Sequence, residues 1–358
     1  MGINVGIIGC GGIAFGKHMP SLKKLPDVRL VAFCDIDREK AERAAKEFGE
    51  SSSKTYTDYQ ELLKDNSIDV VHVCTPNNTH AEITIAALES GKHVMCEKPM
   101  AKTYAEAKAM VEAAKRTGKK LTIGYQNRFR QDSQYLHKLC REGILGDIYF
   151  AKGLAIRRRA VPTWGVFLDE EKQGGGPLID IGTHALDLTL WMMGNYEPKI
   201  VLGTTYHKLG KKANAANAWG PWDPEKFTVE DSAFGFIVMK NGATIILESS
   251  WALNTLEVDE AKCLLSGTEG GADMKDGLRI NGERFGELYT TRVDLDGGGV
   301  DFYEGKAESA ADLEARLWIE SIIHDTEPVV KPEEALVVTR ILEAIYQSAK
   351  TGQAVYLD

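Results

Sequence analysis

The segment Gly9-Cys10-Gly11-Gly12-Ile13-Ala14 follows directly on the apolar run Ile3–Ile8, and few folds accept such a start. Glycines at G-x-G-x-x-A spacing let a strand turn tightly into a helix and let the backbone approach a ligand closely. The helix N-terminus there offers unpaired N–H groups and the positive end of a dipole, which suits a phosphate. The pattern gains specificity from Asp35, which ends the second apolar run, Val28–Cys34, 21 residues after Ala14. An acid at that place reaches the hydroxyls of an adenine ribose. The combination reads as a dinucleotide-binding Rossmann domain.

The rest of the first third keeps the same rhythm. Apolar runs at Ile3–Ile8, Val28–Cys34, 70–74, His93–Cys96 and 120–124 alternate with helical stretches at Arg38–Phe48, 79–90 and Tyr104–Thr117. Such alternation implies a doubly wound parallel sheet covered on both faces. After about Tyr125 the rhythm changes. A helix at 134–142 and a strand at 147–156 lead to a Gly-rich turn and a helix at 182–193. Strands follow at 199–206, Ser232–Met239, 243–252 and 261–266, with few helices between them, which implies a largely antiparallel sheet. Helices at 307–324 and Pro332–Thr351 close the chain. At 358 residues the chain exceeds what one core usually supports. The reading is an α/β protein with a Rossmann domain over 1–124 and an α/β domain with a large, mostly antiparallel open sheet over 125–358. The last helices are free to pack back on the first domain.

Composition narrows the class. A net charge of −9 argues against a general binder of nucleic acid or anionic membrane. None of the six cysteines forms a CxxC pair, so buried reduced thiols in a cytoplasmic protein are expected. No apolar run approaches the roughly 18 residues of a membrane span. With a strand already at Ile3–Ile8, no secretory leader is expected. The polar segment 208–227, which contains Trp219 and Trp222, reads as a loop over a pocket or as a subunit contact.

Ligands of open α/β sheets sit beyond the carboxyl ends of the strands. Thr75, Pro76, Asn77 and His80 follow the third apolar run, and Glu97-Lys98-Pro99 follows the fourth. Together with Gly9, Gly11, Gly12, Ile13, Asp35 and Arg38 they form the expected cofactor set. His80 reads equally as a helix-end residue. Asp35 favours NAD over NADP, since a 2′-phosphate would meet a like charge. Arg38 reads as a partner for such a phosphate, as an adenine contact, or as a solvated helix-start residue. Lys98 is placed to hydrogen-bond a reacting oxygen. Asp180, His184 and Asp187, spaced four and three apart, share one face at a helix start, where a carboxylate orients an imidazole. The same residues read as a helix cap with a packed histidine, or as metal ligands, but hydride chemistry with a lysine and a histidine needs no metal, and none is expected. Arg159 and Trp164 are candidates for vicinal hydroxyls and sugar C–H faces.

The motifs GCGGIA, CTPNNTH and CEKP, followed by Gly174-Gly175-Gly176-Pro177-Leu178-Ile179-Asp180-Ile181-Gly182-Thr183-His184-Ala185-Leu186-Asp187, resemble the glucose–fructose oxidoreductase / inositol dehydrogenase / rhizopine catabolism (Gfo/Idh/MocA) family. The resemblance covers essentially the whole chain. It implies catalytic roles for Lys98, Asp180 and His184, a cis bond before Pro99, and a sheet that builds homodimers and homotetramers. Gly124-Tyr125-Gln126-Asn127-Arg128-Phe129 resembles the family's G-x-x-x-R-F junction between domains, which implies that Gln126 approaches the nicotinamide and that Arg128 binds substrate or locks the domains. It implies an NAD(H)-dependent oxidoreductase acting on a secondary hydroxyl of a cyclic polyol or sugar. Two other functions share the scaffold: a glycosidase that uses NAD for transient oxidation, and a non-catalytic sugar or dinucleotide sensor.

Overall fold

The computed structural model describes residues 2–295 and 308–357. The chain divides into two compact units, Met1–Gln126 with Glu308–Leu336, and Asn127–Ala307 with Val337–Asp358.

The first unit begins with β1 (Ile3–Ile8), which enters a π-helical turn, Ala14–His18, and the short helix α1 (Met19–Lys23). There follow β2 (Val28–Cys34), α2 (Arg38–Phe48), β3 (Lys54–Tyr56), α3 (Tyr59–Leu63), β4 (Val70–Val73), α4 (His80–Glu89), β5 (His93–Cys96), α5 (Tyr104–Thr117) and β6 (Leu121–Ile123). The strands form one parallel sheet in the order β3-β2-β1-β4-β5-β6. The order reverses beside β1, so a crevice opens where β1 and β4 end. Local chemistry explains the boundaries. Asp37 accepts a hydrogen bond from Glu39 N and starts α2. Thr103 and Glu106 form a reciprocal capping box at α5, and Gly118, at φ 65°, ends it in a left-handed conformation.

The second unit holds α6 (Gln131–Arg141), β7 (Ile148–Ile156), α7 (Glu170–Gln173), a π-helical turn Leu178–Gly182, α8 (Thr183–Met193), β8 (Pro198–Tyr206), β9 (Ser232–Met239), β10 (Thr244–Ser250), β11 (Asp259–Gly267), β12 (Gly271–Asp273), β13 (Arg279–Arg284) and β14 (Glu287–Arg292). Its sheet runs β14-β13-β12-β11-β7-β10-β9-β8-β15, where β15 is Val355–Tyr356. Every pair is antiparallel except β7 with β10. The sheet is thus mostly antiparallel, as expected from the sequence. Helix α8 is buried along nearly its whole length and packs on β7 and β11.

The closing helices are α9 (Ala310–Ile323) and α10 (Pro332–Thr351). Residue 307, the expected start of the first of these helices, lies outside the described residues. Trp318 and Ile319 of α9 join Val5, Ile7, Met19 and Phe33 in the core of the first unit. Thr122 donates to the carbonyl of Val330, so the returning chain is also tied to β6. No helix among the described residues is long and apolar enough to cross a membrane. All six cysteines are free; five are buried and Cys140 is half-buried.

Candidate cofactor and catalytic site

In the first unit the glycine loop is shaped by what surrounds it. Gly9 sits at φ 92°, and a Cβ there would stand 2.6 Å from the Cys74 carbonyl and 2.8 Å from Thr75 N. Only glycine lets the ends of β1 and β4 pass so closely. At Gly11 and Gly12 the reverse holds: a Cβ would meet nothing within 4 Å. The loop therefore leaves open space before the first helical turn, as a pyrophosphate against the backbone requires. The helix that the segment was expected to open begins with a π-helical turn. Ile13 is exposed at its edge.

Asp35 fastens the loop. Its Oδ2 accepts from Cys10 N at 2.8 Å and its Oδ1 from Asp37 N at 2.9 Å. Arg38 is exposed at the start of α2, with Glu42 at 4.0 Å as an ion-pair partner.

Beyond β4, Thr75 is half-buried, Pro76 exposed and Asn77 buried. Thr79 Oγ1 donates to Thr75 Oγ1 at 2.8 Å. His80 lies buried beneath the loops, with Nδ1 at 2.8 Å from Pro99 O and Nε2 at 2.9 Å from Thr75 O. Its ring joins two strand ends from below. Gln126 is half-buried in a 3₁₀ turn, Gln126–Phe129.

Glu97, an acid of the same expected set, is buried. Its Oε1 lies 2.5 Å from Lys17 Nζ and 2.8 Å from His18 Nε2, and its Oε2 accepts from Lys98 N at 3.0 Å. Lys17 also meets Glu314 at 3.1 Å, and His18 Nδ1 lies 2.9 Å from His72 Nδ1. Burial pushes the Glu97 carboxyl up, but Lys17 and His18 outweigh it and hold the group well below the ordinary carboxylate range. Glu97 thus supports the Lys98 backbone from inside. Lys98 itself is half-buried, and the Lys98–Pro99 bond is cis.

In the second unit Asp180 lies in the π-helical turn and His184 in the first turn of α8; both are buried. The segment is held from several sides. Trp251 Nε1 donates to Asp180 Oδ2 at 3.0 Å. Glu230 accepts from Gly176 N at 2.8 Å, from Leu178 N at 3.1 Å and from the Tyr346 hydroxyl at 2.9 Å. The glycines ahead of Asp180 are required by these contacts. A Cβ on Gly175 would stand 2.0 Å from the Tyr346 hydroxyl, and one on Gly176 would stand 2.1 Å from the Glu230 carbonyl oxygen. Sequence reasoning missed Trp251, Glu230 and Lys17; no fixed spacing connects them to the motifs they support.

Arg128, expected to bind substrate or lock the domains, is fully buried inside the second unit and ion-paired with Asp187. It has no exposed surface to offer a sugar. Arg159 is half-buried, donating to Arg158 O at 2.6 Å and to Asn254 Oδ1 at 2.5 Å. Trp164 is 52% exposed and stands edge-on to Phe167 and Trp219. Among the described residues no three His, Cys, Asp or Glu side chains gather as metal ligands.

The chain is similar to known proteins over its whole length. A family model described as an oxidoreductase family with an NAD-binding Rossmann fold matches residues 3–125, and its C-terminal alpha/beta domain matches 137–357. The chain is 37% identical to D-glucoside 3-dehydrogenase of Escherichia coli (strain K12) over 99% of this chain and 97% of that protein. It is 27% identical to the inositol 2-dehydrogenase/D-chiro-inositol 3-dehydrogenase of Lactiplantibacillus plantarum over 91% of this chain and 84% of that one. Among solved structures, aldose-aldose oxidoreductase from Caulobacter crescentus complexed with glycerol superposes with a TM-score of 0.79 over the whole of both chains, at 26% identity.

Proposed function

The chain belongs to the Gfo/Idh/MocA family of NAD-binding oxidoreductases, and from that premise we propose that it oxidises a secondary hydroxyl of a sugar or cyclic polyol. The names of its relatives support that substrate class. The open space at Gly11 and Gly12, with Asp35 at the end of β2, fits NAD. When bound there, NAD accepts the hydride released from the alcohol carbon.

The observation that carries the reading is the buried pair Asp180 and His184, four residues apart on one braced segment. His184 takes the hydroxyl proton as general base. Asp180, fixed by Trp251, orients the imidazole or the substrate. Lys98 donates a hydrogen bond to the reacting oxygen and favours its alkoxide character. The test is a panel of inositols, aldoses and glucosides with NAD and NADP in parallel, read by the absorbance of the reduced nicotinamide. His184→Ala should lower kcat on the best substrate about 10²–10⁴-fold. Unchanged turnover would remove His184 from the role.

The active protein is further read as a homo-oligomer. Leu202 and Phe236 are register partners in the second sheet, and each is 46% exposed. Such an apolar face suits a second copy of the sheet. Phe236→Glu should reduce the mass measured by light scattering to that of one chain. The six free thiols fit a reducing compartment such as the cytoplasm.

A further inference from the structure

A line of aromatic rings runs outward from Asp180 within the second unit. Trp251, fully buried, donates to Asp180 Oδ2. Its ring centroid lies 6.4 Å from that of Phe167, and Phe167 lies 5.9 Å from Trp164. Trp164 meets Trp219 at 5.0 Å with the two planes 73° apart. The inner member of this line is buried, whereas Trp164 is 52% and Trp219 43% exposed. Two large exposed indoles set at an angle form an apolar corner.

The corner is built rather than loose. Thr163 Oγ1 donates to Trp219 O at 2.8 Å, and Ala218 N donates to Arg159 O at 3.0 Å. Asn217 stitches the same two loops through Val161 N at 2.8 Å and Val161 O at 2.9 Å. The Arg157 guanidinium lies over Trp219, 5.1 Å from its centroid, and is itself clamped by both Glu260 oxygens at 2.5 Å. Six-membered sugar rings and aromatic aglycones carry flat apolar faces that pair with indole faces held ready for them.

We propose that Trp164 and Trp219 form a second-ring subsite, so that the preferred substrate is a glycoside: one sugar ring reacts at the Asp180–His184 segment while the attached ring or aglycone rests on the indole corner. This rests on the reading above that the sugar reacts at that segment. A free monosaccharide or inositol reaches only the inner part and gains nothing from the corner.

The probes are glucose, methyl glucoside, phenyl glucoside and a glucosyl disaccharide, with both anomers of each glucoside. In Trp164→Ala and Trp219→Ala the kcat/KM for phenyl glucoside and the disaccharide should fall roughly fivefold to tenfold, the scale of one lost aromatic contact. Glucose and methyl glucoside should stay within about twofold. Trp164→Phe, which keeps an apolar face, should retain most of the preference. Equal losses on all substrates, or none on any, overturn the subsite. If the native protein oxidises none of these sugars, the hydride-transfer reading fails on its own, and the subsite is judged by binding. Phenyl glucoside titrated into the NADH-loaded protein should then quench tryptophan fluorescence at a concentration that rises in Trp219→Ala. Absence of saturable binding in the native protein overturns it.

Discussion

Arg128 grips Asp187 as a fork, with Nε 2.9 Å from Oδ2 and Nη2 2.6 Å from Oδ1, and neither side chain reaches solvent. The guanidinium also lies over the Trp191 ring at 5.4 Å. A buried ion pair adds little net stability when whole, but removing one partner strands a charge in the interior. Asp187→Ala should therefore cost about 3–5 kcal/mol in urea denaturation. Pairing Asp187→Leu with Arg128→Met should restore much of that, because no charge is then left unmatched. A loss below about 1 kcal/mol in the single variant would mean that water reaches Arg128.

The glycine loop predicts two contrasting variants. Gly9→Ala places a Cβ 2.6 Å from the Cys74 carbonyl and forces an L residue to φ 92°. It should lower the melting temperature and the yield of folded protein. Gly11→Ala adds a Cβ where the protein has nothing within 4 Å. Stability should stay within about 0.5 kcal/mol, while the Kd for NAD, measured by calorimetry, rises at least roughly tenfold. Native-like NAD affinity in Gly11→Ala would show that the open space is not the pyrophosphate position.

Acid sensitivity should begin well above the carboxylate range. Lys120 N donates to His93 Nδ1 at 3.0 Å, a bond that needs an unprotonated nitrogen. Burial, with Lys119 and Lys120 nearby, pushes the His93 pKa down from 6.5 to about 4. The unfolded chain then takes up a proton below 6.5 that the folded chain refuses, so stability falls as pH drops from about 6.5 to about 4 and levels off beneath that. His137, stacked 3.7 Å from Trp191 and pushed to about 4 chiefly by burial, adds to the same window. Glu97, held well below its ordinary value of 4.5, adds a loss at still lower pH. His18, His72 and His80, pushed down chiefly by burial, act in the same direction. Urea midpoints from pH 7.5 to 4 should show this slope, and His93→Gln should make it shallower by the share of one histidine. An unchanged slope in that variant would remove His93 from the account.

The legibility of the fold tracks burial and local chemistry. Strands β1, β2 and β5 and helices α2 and α5 coincide with the sequence reading, because their cores are apolar and Asp37 and Thr103 mark the helix starts. The missed elements lack those signals. Strand β3 is three residues at a sheet edge. Strands β13 and β14 are largely polar and exposed, and their two-residue turn puts Phe285 at φ 57°, where asparagine or glycine would have announced a hairpin. The parallel pairing of β7 with β10 was hidden because the chain makes β8 and β9 in between. At the site, the glycine loop and the Asp180–His184 segment were visible as spaced motifs. Their supports were not: Lys17, Glu97 and Glu314 meet only through tertiary packing.

Glu230 offers a test of how far such a support reaches into chemistry. Its carboxylate faces three donors, Gly176 N, Leu178 N and the Tyr346 hydroxyl, and has no donor of its own to place among them. Burial pushes its pKa up, while the two backbone N–H groups pull against that shift. Glu230→Gln turns one acceptor into an N–H group that must face another donor, at a cost of about 1–3 kcal/mol. The strain falls on the segment that carries Asp180, so kcat on the best sugar substrate should drop roughly tenfold with KM changed less. Tyr346→Phe removes one donor and leaves the carboxylate its two backbone partners, so its kcat should fall no more than about threefold. If Glu230→Gln lost stability but kept kcat, the acid would be a fold determinant only. If Tyr346→Phe proved the more damaging, the hydroxyl rather than the carboxylate would be what holds Gly175 and the turn behind it.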